Sequence, residues 1–117
     1  MNLRIALGGL MLLGSAHAAP PAAPGVPDAT RQQALVRMVR QDCGSCHGMR
    51  LTGGLGPALT REVLADFPLD SLTATIYHGR PGTPMPAWRA MLSEDDAHWI
   101  AVRLQQGFPE EPIRKMP

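Results

Sequence analysis

The segment Cys43-Gly44-Ser45-Cys46-His47 brings two thiols and an imidazole together in the pattern C-x-x-C-H. Two thiols three positions apart can each bond to one vinyl group of the same haem. The histidine after the second cysteine is then placed to ligate the iron. The chain has no other cysteine. The pattern therefore predicts one haem c, bound covalently through Cys43 and Cys46, with His47 as an axial ligand.

Three other interpretations of a C-x-x-C pair deserve comparison. A thioredoxin-like redox dithiol needs a βαβ context. A zinc site needs a second pair of ligands, and the remaining histidines, His17, His78 and His98, are widely spaced. A structural disulfide is permitted in an exported chain. The histidine directly after Cys46 favours haem attachment over all three.

Met85 is the candidate for the sixth iron ligand. It lies between Pro84 and Pro86, on a stretch that cannot be helical and whose fixed backbone lowers the entropy lost on ligation. Thirty-eight positions separate it from His47, enough chain to pass round a haem. His78 is the competing candidate and would give a centre of lower potential. A second strong ligand indicates an electron carrier, and an open position indicates peroxide chemistry or gas binding.

The N-terminal residues 1–18 read as a cleavable secretory signal peptide. A positive residue precedes the apolar run 5–13, which is too short to span a bilayer, and a small-x-small sequence ends at Ala18. We expect export to the periplasm and no stable membrane insertion after cleavage. Residues 19–29, rich in proline and alanine, are expected to form an extended leader.

The domain itself is expected to cover residues 30–108, followed by a tail at 109–117. Without the signal peptide the chain carries ten basic and ten acidic residues, so its charge does not indicate a nucleic acid or an anionic membrane as partner. The domain is small and poor in aromatic residues, and a covalently held haem would supply core volume. We expect a monomer.

Helical periodicity begins near Asp28 or Thr30 and should continue into the C-x-x-C-H motif. The apolar positions of this first helix are Leu35, Val36 and Val39, and the charged positions expected to face outward are Arg31, Arg37 and Arg40.

Three further helices are expected. One covers 60–66 and one runs from Asp70 or Ser71 to Tyr77, with Gly79 after its end. The last is capped by Ser93 and ends at Gly107. No segment alternates long enough to form a strand. The sequence therefore predicts an all-α fold with long loops around the haem.

Taken in order, the C-x-x-C-H motif, the Gly56-Pro57 turn and Pro84-Met85-Pro86 make the region 30–107 resemble a class I c-type cytochrome. The resemblance implies a small cytochrome c fold, with about four helices wrapped around one haem. It also implies that the first and last helices cross, with Trp99 at the crossing opposite Val36 or Val39.

The same resemblance implies roles for other residues near the haem. The Pro57 carbonyl should accept a hydrogen bond from His47 Nδ1, which would fix the orientation of the imidazole. Leu59 should pack on the haem, and Trp88 should lie near a propionate. Either Arg50 or Arg80 is a candidate to pair with a propionate.

Segments 42–48, 51–59 and 78–88 are similar to the NirC type, also called cytochrome c55X, of denitrifying bacteria. This resemblance implies a periplasmic carrier of single electrons rather than an enzyme. Its partners would be redox proteins, with haem-cd1 nitrite reductase as the acceptor. Two alternatives stay open: a role in d1 haem maturation or assembly of that reductase, and a haem protein with a labile sixth ligand, such as a peroxidase or gas binder.

Overall fold

A computed structural model describes residues 14–16, 18 and 25–110. The predicted signal peptide, leader and C-terminal tail lie mostly outside these residues. The helices are α1 (Ala29–Met38), α2 (Gly44–His47), α3 (Arg61–Leu64), α4 (Leu69–His78) and α5 (Glu94–Gln106), and a π-helical segment, Val39–Cys43, joins α1 to α2. The described part contains no strand, and the predicted all-α class is confirmed.

The first helix begins where its sequence predicts. Asp28 is the N-cap, and its side chain accepts a hydrogen bond of 2.8 Å from the Arg31 backbone N–H, which α1 itself cannot satisfy. Leu35 and Val36 are buried against the core. The helical path then continues through the π-helical segment, where the Gly44 N–H bonds to the Val39 carbonyl, five residues back. The C-x-x-C-H motif thus lies on the end of a continuous helical stretch.

The expectation that Arg40 faces outward is wrong. Its side chain is buried, because the segment after α5 folds back over the π-helical segment. Arg40 Nη2 donates to the carbonyls of Phe108 and Pro109 at 2.9 and 3.0 Å, and its guanidinium lies 5.6 Å from the centre of the Phe108 ring. A guanidinium, with several donors, can satisfy carbonyls that no helix or strand would satisfy.

Arg31, also expected to face outward, links α1 to the start of α5. Its Nη2 lies 2.7 Å from Asp96 Oδ2 and 2.9 Å from the Met91 carbonyl oxygen. Ser93 caps α5 as predicted, and with Asp96 it forms a capping box in which each side chain bonds to the other residue's backbone N–H. The buried Asp96 therefore serves both the helix end and the contact between the helices.

The two middle helices differ from prediction mainly at their ends. α3 is shorter than the expected 60–66, and Thr60 is its N-cap. α4 begins at Leu69, directly after Pro68, and ends at Gly79, whose N–H bonds to the Thr75 carbonyl. Proline favours the start of a helix because it lacks the N–H that would be unpaired there.

One cluster of buried apolar side chains joins the helices. Trp99, Val36 and Val39 all belong to it, and Trp99 also meets the Phe108 ring edge to face at 6.4 Å. Gln105 ties the α3–α4 connection to α5, since its Nε2 donates to the carbonyls of Leu64 and Phe67. No helix in the described part of the chain is long and apolar enough to cross a membrane.

Candidate haem site

A cavity of about 430 Å³ opens between α2, the loop 48–59, α4, the loop 79–92 and α5. The residues on its wall are overwhelmingly apolar. The predicted site residues all lie on this wall: Cys43, Cys46, His47, Pro57, Leu59, Met85 and Trp88. Residues from both halves of the chain therefore meet at one cavity, next to the C-x-x-C-H motif.

His47 is buried at the end of α2 and held by the loop that follows. Its Nδ1 lies 2.7 Å from the Pro57 carbonyl oxygen. Because that oxygen can only accept, the contact places the imidazole proton on Nδ1 and leaves Nε2 with its lone pair free to bind a metal. This is the contact expected from the resemblance.

Gly56 allows the loop to approach the imidazole this closely. A Cβ at this position would lie 2.7 Å from His47 Cε1 and 2.8 Å from Nδ1, inside van der Waals contact. The Gly56 N–H also donates to the Cys46 carbonyl at 2.8 Å, and the Gly53 N–H to the His47 carbonyl at 2.8 Å. The loop thus satisfies carbonyls at the end of α2 while it positions Pro57.

The two thiols lie in different surroundings. Cys43 is half-buried and Cys46 exposed. Burial, and then the negative charge of Asp42, raise the pKa of Cys43 to about 11, so that its thiol is protonated at neutral pH. Both side chains reach the same cavity, as attachment to a single haem requires.

Met85 lies half-buried on the cavity wall, in a loop with no helical residue. His78, the competing ligand candidate, is exposed, and its ring stands edge-on to Tyr77 with the ring centres 4.9 Å apart. It is not part of the cavity wall. Met38 also reaches the wall, but it lies on the same helical stretch as the C-x-x-C-H motif. The geometry therefore favours Met85 over His78.

The remaining predicted side chains are divided by the structure. Leu59 and Trp88 are half-buried at the cavity and pack against the hydrophobic core. Arg80 also reaches the cavity, whereas Arg50 lies in a separate polar cleft beside Arg40. Of the two arginines, only Arg80 is placed to meet a group bound in the cavity.

Sequence reasoning missed several residues that build the site. Thr83 lies on the cavity wall with its hydroxyl bonded to the loop backbone, and Gln105 holds the segment that carries Leu64 and Phe67. Leu55, at the cavity mouth, is 94% exposed. The Pro-Gly turn before Thr83 and the glycines around Leu55 were signals for tight loops. No local pattern marks Gln105.

These residues fit a haem c. The cavity wall is apolar, as a porphyrin needs, and carries two thiols for attachment. One imidazole nitrogen has its lone pair free, and a thioether on a different loop can serve as a soft ligand. Filling the cavity near Gly56 with even one methyl group would displace His47, so the backbone there is shaped around the imidazole.

Three comparisons place the chain among known proteins. The family model described as cytochrome C oxidase, cbb3-type, subunit III, matches residues 18–102. The chain is 54% identical over 109 residues to cytochrome c55X of Stutzerimonas stutzeri, covering 93% of this chain and 91% of that protein. A solved structure of the c-type cytochrome NirC is 60% identical, with a TM-score of 0.67 over 68% of this chain and 94% of that chain.

A further solved structure resembles only part of a larger protein. The dihydro-haem d1 dehydrogenase NirN, in complex with DHE, is 36% identical with a TM-score of 0.56. The similarity covers 65% of this chain and 16% of that protein. The small helical domain described above is thus similar both to a separate cytochrome and to one portion of an enzyme.

Proposed function

The chain belongs to the cytochrome c55X (NirC) family of c-type cytochromes, and from this premise we propose that it carries single electrons in the periplasm to haem-cd1 nitrite reductase. It has the small all-α cytochrome c fold and one haem c, attached through Cys43 and Cys46. In this proposal residues 1–18 are removed on export, and residues 30–108 form the working domain as a monomer.

The observation that carries the proposal is the pairing of an imidazole and a thioether at one apolar cavity. The bound haem supplies an iron that takes up and releases one electron. His47 would offer its Nε2 lone pair, held in orientation by Pro57, and Met85 would fill the remaining axial position. Two strong ligands keep substrates off the metal, which suits a carrier and not a peroxidase.

The side chains also influence the reduction potential. A thioether ligand favours the reduced iron and raises the potential above that of a bis-histidine centre. The apolar wall disfavours the extra positive charge of the oxidised state and acts in the same direction. The described residues of the wall include no free carboxylate other than Asp42, beside Cys43.

Carbon monoxide binding tests the axial assignment. The reduced wild-type protein should resist carbon monoxide at neutral pH, whereas Met85→Ala should bind it rapidly. Met91→Ala is the matched control, because Met91 is half-exposed and lies off the cavity; it should behave as wild type. A Met85→Ala protein with unchanged axial spectra would refute ligation by Met85. A wild type that binds carbon monoxide tightly would instead favour the gas binder or peroxidase.

Stopped-flow mixing tests the partner. The reduced protein should be oxidised by haem-cd1 nitrite reductase within milliseconds to seconds. The similarity to one portion of a dihydro-haem d1 dehydrogenase supports a second candidate, a role in d1 haem maturation. Oxidation or reduction by such a dehydrogenase, with no exchange with the reductase, would select that second function.

A further inference from the structure

The loop that carries Met85 is closed on itself by backbone hydrogen bonds. The Arg80 N–H donates to the Met85 carbonyl at 3.1 Å, and the Thr83 N–H donates to the Arg80 carbonyl at 3.1 Å. The second bond closes a four-residue turn with Pro81 and Gly82 at its centre. Gly82 has φ +77°, the value that a type II turn requires at its third position. The turn therefore sets where Thr83 stands.

The hydroxyl of Thr83 connects this turn to the Met85 backbone. It donates to the Arg80 carbonyl at 2.7 Å and accepts from the Met85 N–H at 3.3 Å. A threonine hydroxyl has one proton to donate and lone pairs to accept, so both contacts can form together. Because Pro84 and Pro86 have no N–H, the Met85 amide is the only backbone donor in the segment 84–86.

The region around Met85 offers few other restraints. The side chain is half-buried, and both neighbouring prolines are exposed. The prolines fix two φ angles, but they do not fix how the segment as a whole is oriented toward the cavity. A hydrogen bond from the Met85 amide to the hydroxyl of Thr83, itself tied to Arg80, restrains that orientation.

We propose that Thr83 is a positioning residue for the sixth ligand: its hydroxyl holds the Met85 backbone so that the thioether resists displacement from the iron. This inference rests on the proposed ligation by Met85. It predicts that loss of the hydroxyl leaves the ligand in place but makes it easier to replace.

Imidazole titration of the ferric holoprotein measures that resistance, because added imidazole replaces the thioether at the iron without any change of oxidation state. Thr83→Val keeps the branched shape and removes the hydroxyl, and Thr83→Ser keeps the hydroxyl. We expect the apparent Kd for imidazole to fall by about threefold to tenfold in Thr83→Val, the effect of one or two net hydrogen bonds. Thr83→Ser should stay close to wild type.

Two further measurements separate the possible outcomes. The far-red charge-transfer band of thioether-ligated ferric haem should be present in wild type and absent in Met85→Ala; without it the proposed ligand itself fails. If the band is present in wild type and Thr83→Val binds imidazole as wild type does, only the role of Thr83 is overturned. Equal weakening in Thr83→Val and Thr83→Ser would likewise overturn it. Thermal unfolding of each variant shows whether a shift in Kd reflects general destabilisation.

Discussion

His47 is held from two sides, by the helix that carries it and by the loop that folds over it. The hydrogen bond to Pro57 fixes the ring's tautomer, and Gly56 leaves no room for the ring to rotate toward the loop. A ligand held in this way needs little rearrangement when the charge on a bound metal changes. The demand falls on glycine at position 56, since any side chain there would meet the ring.

Gly56→Ala should therefore displace His47. The added Cβ would overlap the imidazole, and we expect a loss of about 1–3 kcal/mol in the free energy of unfolding together with altered axial ligation. Denaturant unfolding and the ferric haem spectrum measure the two effects.

Gly107→Ala is the control for this change. Gly107 has φ +94° but open space around it, far along the chain from the cavity wall. We expect a cost of about 1 kcal/mol or less and an unaltered spectrum. If Gly56→Ala gave the same result as this control, the close approach to the imidazole would have no role in ligation.

Residue types and spacing are informative where the chemistry is local. The two thiols and the histidine of the attachment motif lie next to one another, and both axial candidates, Met85 and His78, could be named from the chain alone. Arg40 shows the limit. Its partners at 108 and 109 are nearly seventy positions away, and nothing in the helical periodicity around Arg40 indicates that a distant segment covers it.

At the scale of elements, helix starts were easier to predict than contacts between helices. Asp28 and Ser93 cap α1 and α5 as expected, because a capping side chain bonds within its own first turn. The link between these helices, from Arg31 to Asp96, joins positions 65 apart. It depends on how the two helices pack, which the sequence of neither helix encodes alone.

This link should make stability depend on pH. Burial opposes ionisation of Asp96, but the hydrogen bonds from Arg31 and from the Ser93 N–H outweigh it and lower the pKa of Asp96 below its ordinary value of 3.8. A lowered pKa stabilises the folded state above the unfolded-state value, and the stabilisation is lost as the pH falls through the folded-state value.

Asp96→Asn should therefore destabilise the protein at pH 7 by about 1–2 kcal/mol, since Arg31 is partly exposed and the pair is partly screened. The difference from wild type should shrink as the pH falls below about 4. Urea unfolding at several pH values measures this difference, and haem-linked titrations common to both proteins cancel. Asp95→Asn, on the exposed side of the same turn, should stay within about 0.5 kcal/mol. A gap for Asp96→Asn that stays constant down to pH 3 would contradict the role of this carboxylate.

For the whole molecule, the cavity occupies the place where a larger protein would have a core. Its wall draws side chains from α2, α4, α5 and two loops, so these elements meet one another largely across the bound group. The sequence predicted the all-α class, since period-3.6 patterns and caps are local signals. The wall could not be assembled from the sequence, because residues such as Leu64, Phe67 and Leu104 look like ordinary core positions.

Removing the attachment thiols should expose this dependence. In a Cys43→Ser/Cys46→Ser protein purified without haem, we expect the cooperative unfolding transition to be lost or strongly weakened, since an apolar cavity of this size in a domain this small leaves few contacts to replace it. Near-ultraviolet circular dichroism and urea titration report on fixed packing. A sharp transition at the wild-type midpoint would mean that the helices pack stably without the haem.

The π-helical segment determines which way the attachment motif points. His47 follows Leu35 by twelve positions, and in a regular α-helix that spacing would leave the two about 120° apart around the axis. The wider turn at Val39–Cys43 absorbs one residue, and the angle shrinks to about 20°. The chain is thus one residue longer than the rotation of its helix requires. Shortening it by the exposed Gln41 would tighten the turn without swinging the motif away, whereas lengthening it by one residue would aim the imidazole along the molecular surface.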